Sequence, residues 1–563
     1  LDVSAIAYLT LFPAIALLFY SIKPFTQISK VLNGYYLILI PVTTIIQAGN
    51  IAIFNYWGVL LNNRAISYLT NPVEILASLN GLQTLIMTMA LIAGFTGIFI
   101  FYKKYLKPAV YQLSQQKKHN LVVITILVLI TGIGLRGGLQ QIPINESTAY
   151  YSKENRLNQI ATNSLWHLAN NIHQSSLTES NPYRFVDEAL ANNVVDSLFL
   201  RNVLKNRTQL FKSINHPNVV ILLLESYTAD IIGPLGGVDS VTPFFNSLCS
   251  QGLLFSNVYS SGFRTDQALV SVISGFPAQP NKSIIRFPDK TQRLPALSRS
   301  FKNAGYKTSF YYGGELGFAN MNSYLTAAGF DYITGKDKYP SDAMNSKWGA
   351  HDGIVLQQQA LELDTTNQPF FSFLLTLSTH EPFEVPVTTP FNGTSESEQF
   401  KKAAWYTDAS LREYFNKVSK SSWFSNTIFV LVADHGHRLP LLRSYQNPLI
   451  RHIPLLIYSP LLQDSLAGKQ MAQTATQNDL AATLLGQLGM DTKDYNWSND
   501  LMVTPRNHFA YLSLDESIEW VTPDDTLLLD ISHFSKEKKP ESGKPETRAR
   551  AYLQLLYQQF LGL

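Results

Sequence analysis

The sequence is short of cysteine and of charge. Its 563 residues include one cysteine, Cys249, which excludes an internal disulfide and a zinc site built from several cysteines. Cys249 lies in the amphipathic stretch "FFNSLCSQG", where we expect a small buried side chain. Charged residues make up 15% of the chain and the formal net charge is only +3, so nothing indicates a nucleic-acid partner. Hydrophobic residues make up 46%, and the excess is concentrated before residue 140.

Four long apolar runs account for this N-terminal excess. They lie at about 5–22, 35–61, 82–102 and 120–135, and they carry almost no charge. Because about 20 apolar residues span a bilayer as a helix, we predict a transmembrane domain with four helices over residues 1–140. The chain begins at leucine rather than methionine, so we treat it as truncated. The orientation derived below takes the first run from outside to inside, so an intact chain that starts in the cytoplasm is expected to have a fifth helix upstream. Buried helices of a soluble domain are the alternative explanation.

The lysines and arginines between these runs predict an orientation. Lys23 and Lys30 fall between the first and second runs. Five lysines fall between the third and fourth runs: Lys103, Lys104, Lys107, Lys117 and Lys118. Between the second and third runs there is only Arg64, offset by Glu74. Because positive loops favour the cytoplasmic side, everything after about residue 137 is expected outside the cytoplasm.

The rest of the chain has the pattern of a soluble α/β domain. Residues 141–215 are polar with helical spacing, and we predict a helical connector there. Over 216–530, short runs that are apolar throughout, such as "NVVILLLE" and "TIFVLVAD", alternate with helical stretches such as "DLAATLLGQLG". This alternation indicates a mostly parallel sheet covered by helices. Residues 531–563 are predicted to form a polar loop and a helix.

Three predicted strands end in residues that can bind a metal. Glu225 closes "VVILLLE", His380 closes "FSFLLTLSTH", and Asp434 with His435 closes "FVLVADH". An acid at the end of an apolar strand is costly unless it is paired or metal-bound, and strand ends meet at one edge of a parallel sheet. Carboxylates, imidazole and a hydroxyl suit Mn²⁺, Mg²⁺ or Zn²⁺. Thr265, in "SSGFRTDQA", is a candidate for the hydroxyl ligand and nucleophile.

Each of these residues also has an ordinary structural explanation. A strand-end acid such as Glu225 can cap a helix or form a salt bridge, and a threonine such as Thr265 is common in turns. The order of the motifs and their setting at strand ends are together more specific than any single residue.

The motifs "LLLESY", "SSGFRTDQA", "STHEPF" and "VADHGH" resemble the alkaline phosphatase and sulfatase superfamily. Within it, the chain is most similar to the lipoteichoic acid synthase family of membrane-anchored phosphoglycerol transferases. That family has five membrane helices and an extracytoplasmic sulfatase-like domain. The resemblance implies one divalent metal, usually manganese, held by Glu225, Thr265, Asp434 and His435. It also implies that His380 contacts the substrate phosphate.

The implied reaction is transfer of a phospho-head group from a membrane phospholipid to a glycan or lipid acceptor of the envelope. Phosphoglycerol from phosphatidylglycerol is the expected group, carried on Thr265 as a phospho-threonine. Arg264, beside the nucleophile, is expected either to assist or to lie on the surface. The implied location is the bacterial inner (cytoplasmic) membrane, with several membrane passes and an extracytoplasmic catalytic domain. Sulfatase chemistry is disfavoured, because Thr265 stands where a formylglycine precursor would be.

The sequence departs from the family in the segment that forms the glycerophosphate pocket. Tyr312 stands where the family has a histidine, and Asn322 lies in a segment that lacks the family's Trp and Arg. Trp348, in "KWGAHDG", is a candidate to line the site or to act structurally. A phosphoethanolamine transferase that modifies lipid A or a glycan is therefore an alternative, with His437 and His452 as candidate ligands of a second metal. A catalytically idle envelope protein that uses the fold for binding is the third interpretation.

Overall fold

The structure is a computed structural model. It describes residues 11–22, 27–57, 60–61, 81–108, 120–139, 142–152, 154–175, 180–201, 203–212, 215–531 and 544–563. The chain divides into two compact units, Leu1–Glu179 and Ser180–Leu563.

The regular secondary structure in the described part of the N-terminal unit is helical. Its helices are α1 Phe12–Ile22, α2 Ile28–Trp57, α3 Gly81–Phe101, α4 Asn120–Arg136, α5 Asn155–Ala161 and α6 Ser164–Ser175. The first four overlap the four apolar runs of the sequence. A buried cluster that includes Leu17, Leu32, Tyr36 and Ile124 joins α1, α2 and α4. Other aliphatic side chains on α2 and α4, such as Ile38 and Val122, are exposed.

One helix in the described part of the chain is long and apolar enough to cross a membrane. It is α2, over Ile28–Ile51, and α4 has a shorter apolar stretch, Leu121–Arg136. Core helices and signal sequences meet the same criteria, so a domain with several membrane passes stays a prediction. Lys30 lies in the first turn of α2 rather than in a loop. Most of the other charges used for the orientation, Lys23, Arg64, Glu74, Lys117 and Lys118, lie outside the described residues.

Fourteen strands are described in the C-terminal unit. They are β1 Asn206–Arg207, β2 Asn218–Leu224, β3 Leu253–Tyr259, β4 Lys307–Tyr312, β5 Tyr332–Thr334, β6 Phe370–Leu375, β7 Thr427–Ala433, β8 His452–Tyr458, β9 Lys469–Met471, β10 Ala475–Thr476, β11 Val503–Thr504, β12 Ala510–Ser513, β13 Ser517–Val521 and β14 Thr526–Asp530. Nine of them form a mixed sheet in the order β10-β3-β8-β7-β2-β6-β4-β5, with β9 beside β3.

The sheet is parallel except around β8, which runs antiparallel to both β7 and β3. The predicted mostly parallel sheet is therefore observed with one reversed strand. Its central strands β2, β6 and β7 are buried along their whole length, as their uninterrupted apolar runs require. Because two antiparallel pairings separate β3 from β7, these two strands point the same way. The ends of β2, β3, β4, β6 and β7 consequently lie at one edge of the sheet.

Ten α-helices are described in the C-terminal unit, besides short 3-10 helices. They are α7 Glu188–Phe199, α8 Pro243–Cys249, α9 Thr265–Ser274, α10 Pro288–Thr291, α11 Leu297–Asn303, α12 Met321–Ala328, α13 Asp352–Leu363, α14 Glu396–Val418, α15 Asp479–Gln487 and α16 Pro545–Gly562. Cys249 ends α8 and is buried, as predicted, and burial raises the pKa of its thiol to about 12. The predicted polar loop before α16 falls largely on residues 532–543, outside the described residues.

Helix α16 is joined to the segment that precedes and forms α7. The side-chain oxygen of Gln554 accepts hydrogen bonds from the backbone N–H groups of Phe185 and Val186, at 2.8 and 3.0 Å. Asn181 Nδ2 donates to the Gln554 carbonyl at 2.9 Å, and the Arg550 guanidinium lies over the Phe185 ring. Helix α7, which the sequence places in the connector, thus packs within the same compact unit as the sheet.

Candidate active site

Two neighbouring strands bring the predicted carboxylates together. Leu224, the last residue of β2, pairs with Ala433, the last residue of β7. Glu225 and Asp434 therefore leave the sheet side by side, and both are buried. With His435 they form a group whose ligand atoms all lie within 4.8 Å of one another.

Thr265 reaches the same place from β3. The turn after β3 leads into α9, which begins at Thr265. The Thr265 hydroxyl donates a hydrogen bond from Oγ1 to Glu225 Oε2 at 3.0 Å. The hydroxyl also stands at the positive end of a ten-residue helix, where backbone N–H groups favour an anion.

A tight turn fixes the direction from which Thr265 approaches. The Gln267 side-chain oxygen accepts from the Phe263 backbone N–H at 3.1 Å, and Ser260 Oγ donates to the Gly262 carbonyl at 2.7 Å. A Cβ on Gly262 would lie 2.2 Å from Gln267 Oε1, so a larger residue here would displace the Gln267 side chain. The turn therefore depends on close approach between its own backbone and the first turn of α9.

Hydrogen bonds hold the two carboxylates but leave one oxygen without a partner. Asp434 Oδ1 accepts from the backbone N–H groups of Ser226 and His435, at 2.7 and 2.6 Å. Glu225 Oε1 accepts from Ser226 Oγ at 2.8 Å. Asp434 Oδ2 is buried and accepts no hydrogen bond within the described residues. A buried carboxylate oxygen without a donor is an atom that a bound cation would satisfy.

The His435 ring is oriented as a metal ligand. Its Nδ1 lies 2.9 Å from the Gly436 carbonyl, which can only accept, so the proton is on Nδ1. Nε2 is then the free nitrogen, 3.4 Å from Asp434 Oδ2 and 3.6 Å from Glu225 Oε1. The lone pair of Nε2 therefore faces both carboxylates.

The charges of the cluster are not balanced by the protein alone. Burial, together with the Glu225 carboxylate, raises the pKa of Asp434 to about 8. Burial acts in the same direction on Glu225, but the charges of His435 and His380 and its side-chain hydrogen bonds together outweigh burial, and the pKa of Glu225 is lowered. Burial opposes protonation of His435, yet the Asp434 and Glu225 carboxylates raise its pKa. Two carboxylates, an imidazole nitrogen and a hydroxyl therefore fit one divalent cation.

His380 and Trp348 share a hydrogen-bond acceptor on the rim of the cluster. The Glu381 carbonyl accepts from Trp348 Nε1 at 2.6 Å and from His380 Nδ1 at 2.9 Å. The two rings lie 4.7 Å apart, centre to centre. Since the proton of His380 is on Nδ1, Nε2 is the nitrogen available to a substrate. His380 is close enough for its charge to lower the pKa of Glu225.

Asp352 fixes the connection that carries His380, a role that sequence reasoning missed. It begins α13 and is fully buried. Its Oδ1 accepts from the backbone N–H groups of Leu377 and Ser378, at 2.6 and 3.1 Å, and its Oδ2 accepts from Thr407 Oγ1 at 2.6 Å. The signal available in the sequence is an aspartate at the start of a predicted helix, in the segment that includes Trp348.

The remaining predicted substrate contacts are Tyr312, Arg264 and Asn322, and they do not all lie at the site. Tyr312 ends β4; burial, with the Glu225 and Asp434 carboxylates adding to it, raises the pKa of its hydroxyl. Arg264 is half-exposed, with Nε 3.8 Å from Asp266 Oδ1. Asn322 lies in the first turn of α12, where its backbone N–H donates to the Leu316 carbonyl at 2.9 Å. Tyr312 and Arg264 therefore lie at the site, and the structure gives Asn322 a local backbone role.

The two candidate ligands of a second metal make other contacts. The His437 ring stacks on Phe400 at 4.7 Å, and its Nδ1 accepts from the Leu439 N–H at 3.1 Å. Burial lowers the pKa of His437 to about 4. His452 Nε2 lies 2.9 Å from the Ser256 carbonyl and therefore donates to it. The structure does not bring either ring into the group of Glu225, Asp434 and His435.

Two supporting residues gave little or no signal in the sequence. Gln477 Nε2 donates to the Ala433 and Asp434 carbonyls, at 2.6 and 2.8 Å, and so fixes the end of β7. Ser226 adopts a left-handed backbone conformation with φ of 53°, which lets its N–H and hydroxyl reach both carboxylates. The only signal for Ser226 is that it follows Glu225 directly.

The α/β domain with this strand order has the fold of a solved member of the alkaline phosphatase superfamily. A crystal structure of a protein in the alkaline phosphatase superfamily from Vibrio parahaemolyticus matches with a TM-score of 0.59 and 26% identity, over 68% of this chain and 97% of that one. Residues 217–490 match the sulfatase family model.

Curated relatives carry transferase names. The lipoteichoic acid synthase-like protein YvgJ of Bacillus subtilis is 24% identical over 318 residues, which is 52% of this chain and 51% of that protein. Phosphoglycerol transferase I of Citrobacter koseri is 26% identical over 320 residues, which is 53% of this chain and 40% of that protein. The chain thus spans about half the length, or less, of the curated relatives it matches.

Proposed function

We propose that the chain is a metal-dependent phosphotransferase that moves phosphoglycerol from phosphatidylglycerol to a glycan or lipid of the envelope. The observation that carries this proposal is the Thr265 hydroxyl, 3.0 Å from Glu225 in a cluster with Asp434 and His435. Such a hydroxyl is a nucleophile for phosphorus. The names of the relatives, lipoteichoic acid synthase-like protein and phosphoglycerol transferase I, support phosphoglycerol as the group transferred.

In the first step the Thr265 oxygen forms a bond to the phosphorus, and the bond from phosphorus to the diacylglycerol oxygen breaks. The hydroxyl proton already lies on the hydrogen bond to Glu225 Oε2, so that carboxylate can take it. The departing oxygen takes a proton from solvent, and diacylglycerol leaves. In the second step an acceptor hydroxyl attacks the phosphorus and releases its proton to solvent. The bond from phosphorus to the Thr265 oxygen breaks, and the proton held by Glu225 returns to that oxygen.

The chain's own groups hold the charge of the phosphate during both steps. Thr265 lies in the first turn of α9, whose backbone N–H groups favour an anion, and His380 Nε2 is the ring nitrogen left available to the phosphate. Glu225, Asp434 and His435 would hold one divalent cation, for which we propose Mn²⁺. When bound, it would lower the pKa of the Thr265 hydroxyl and neutralise phosphate charge.

We propose that the protein lies in the bacterial inner membrane with its catalytic domain outside the cytoplasm. The proposed layout is a transmembrane domain over 1–140, a connector over 141–215, the catalytic domain over 216–530 and a loop and helix over 531–563. The overlap of α1 to α4 with the apolar runs supports it. Because Cys249 is the single cysteine and is buried, introduced cysteines report topology. Glu396→Cys should react with an impermeant reagent on intact spheroplasts, and Lys104→Cys only after lysis.

Intact-protein mass spectrometry tests the reaction directly. The purified chain is incubated with Mn²⁺ and phosphatidylglycerol and without an acceptor. We expect an adduct with the mass of phosphoglycerol, located on Thr265 by peptide sequencing and missing from Thr265→Ala. An adduct formed only with phosphatidylethanolamine would support the ethanolamine alternative instead. No adduct with either lipid would overturn the proposal.

A further inference from the structure

A loop beside the candidate active site presents large apolar side chains to solvent. It follows the metal-site strand β7 and is defined here as the apolar loop, residues 438–449. Its exposed members are Leu441, Leu442, Tyr445 and Leu449. Scattered single apolar residues are normal on a surface, but four within nine residues form a patch.

The base of the apolar loop is firmly attached to the domain. Leu439 is fully buried, and the Arg443 backbone N–H closes a turn onto the Arg438 carbonyl at 3.0 Å. The Arg443 guanidinium makes two hydrogen bonds to the Asp230 carboxylate, at 2.5 and 2.8 Å. Arg451 NH2 donates to the Tyr445 carbonyl at 2.9 Å. The loop is therefore a folded projection with several fixed points.

Leu442 in the apolar loop is exposed and has a strained backbone conformation. Leu442 has φ of 54°, a left-handed backbone conformation that residues other than glycine rarely adopt. In this conformation 57% of the Leu442 surface is exposed, beside the exposed Leu441. A strained backbone that holds a large aliphatic side chain in water points to a partner for that side chain.

The charge of the loop limits what that partner is. Residues 436–451 contain three arginines and no aspartate or glutamate. Arg443 is paired with Asp230 and Arg451 with Glu519. Arg438 has no carboxylate partner in the described part of the chain, and its guanidinium lies over the Tyr445 ring, 5.8 Å from the centre. Segments that enter a bilayer surface are typically rich in such residues: leucine, tyrosine and an arginine without a carboxylate partner.

We propose that the apolar loop docks on the head-group region of a phospholipid bilayer. Leu441 and Leu442 would enter the acyl boundary, while Arg438 and Tyr445 lie at the level of the phosphates. The loop starts three residues after His435, so docking brings the strand-end cluster to the lipid phosphates. The choice of a lipid substrate rests on the proposed function, whereas the docking itself is tested without turnover.

Lipid quenching of a single fluorophore tests the docking. In a Cys249→Ala background, Leu442→Cys is labelled with an environment-sensitive dye, and the full chain is reconstituted into vesicles of phosphatidylglycerol and phosphatidylcholine containing doxyl-labelled lipid. The matched control is Leu361→Cys, since Leu361 is 54% exposed and lies near the end of α13, which leads back to the opposite edge of the sheet. We expect several-fold stronger quenching at position 442 than at position 361.

Equal quenching at the two positions would overturn the proposal. So would a label at position 442 that is shielded from iodide in detergent at rising protein concentration, because that result assigns the patch to a second copy of the chain. Leu441→Asp in the Leu442→Cys background should weaken the lipid quenching several-fold. Undiminished quenching would show that the dye, rather than the loop, enters the bilayer, and would also overturn it. Because none of these readouts requires transfer, failure of the proposed reaction would leave the docking result intact.

Discussion

The strand-end cluster of Glu225, Asp434 and His435 and the rim around it lie at one edge of the sheet, but they are fixed in different ways. Glu225 and Asp434 are buried directly at the ends of paired strands, and backbone N–H groups hold Asp434. His380 and Trp348 sit on connections and are tied to each other through one backbone carbonyl. Strand pairing therefore fixes the proposed metal ligands, whereas connecting segments position the side chains around them. The rim is therefore where related domains can change substrate without losing the cluster.

The largest effect is expected from the hydroxyl that joins the two regions. Thr265→Ala should lower diacylglycerol release from phosphatidylglycerol by about 10⁴-fold or more, because the nucleophile is removed. Thr265→Ser keeps a hydroxyl and should retain measurable turnover. Thr326→Ala, in α12, serves as a matched control and should leave release unchanged. Full activity in Thr265→Ala would exclude the phospho-threonine route.

Asp434→Asn should show that metal binding depends on the strand-end cluster rather than on the rim. The change removes a ligand and should weaken Mn²⁺ binding by more than the roughly 10–100-fold typical of residues that only support a ligand. Isothermal titration calorimetry measures this loss. If Mn²⁺ binds the variant as tightly as the wild type, Asp434 is not a ligand.

The same variant carries a pH signature in the metal-free protein. The folded pKa of Asp434 is raised to about 8 from an ordinary value of about 4, so the folded state keeps a proton that the unfolded chain has released. The stability that this group contributes is therefore present at low pH and lost as pH rises from about 4 to about 8. Thermal unfolding in EDTA should show this loss in the wild type relative to Asp434→Asn. Parallel curves for the two proteins would contradict the raised pKa.

His380→Ala should affect transfer but not the metal. Loss of one group that stabilises phosphate charge typically lowers kcat by about 100-fold. Because His380 is outside the ligand group, the affinity for Mn²⁺ should not change. A parallel loss of metal affinity would mean that the rim and the cluster are a single structural unit.

Trp348→Phe should have a smaller effect through His380. The variant keeps an aromatic ring against the His380 ring but removes the hydrogen bond to the Glu381 carbonyl, which is worth about 1 kcal/mol. We expect a loss of a few-fold in kcat with little change in thermal stability. Trp348→Ala, which also removes the ring, should cost more; equal effects would assign the role to the hydrogen bond alone.

The smallest effect is expected at His452. His452→Gln keeps a side-chain N–H that can donate to the Ser256 carbonyl, so unfolding temperature should change little. Metal content measured by mass spectrometry should stay at one ion per chain. Two ions in the wild type and one in the variant would instead support the two-metal alternative.

The sequence predicts the strands of the cluster because they are buried on both faces. Strands such as β2 and β7 have uninterrupted apolar runs, so the sequence shows where each strand ends and which acid follows it. Strand β3 was missed because Ser256 and Asn257 interrupt its apolar run and are only half-buried. The antiparallel sheet β12–β14 was missed because its strands are only four or five residues long.

The supporting contacts were beyond the reach of spacing arguments. Gln477 reaches the Asp434 carbonyl across 43 positions, and Thr407 reaches Asp352 across 55. Nothing local distinguishes such residues from other buried polar side chains. The same limit applies to His437. The sequence shows that it lies two residues after His435, but its stacking on Phe400 depends on where α14 packs.

The hydrogen bonds between Gln554 of α16 and the segment before α7 have a consequence for biosynthesis. During translation the segment at 181–199 leaves the ribosome early, and every strand of the central sheet follows before α16 is made. These contacts of the C-terminal unit therefore form only when that late helix is available. If the chain crosses a membrane from its N-terminal side, the C-terminal unit lacks α16 for most of that process. During this time the polypeptide is incompletely folded and accessible to folding factors.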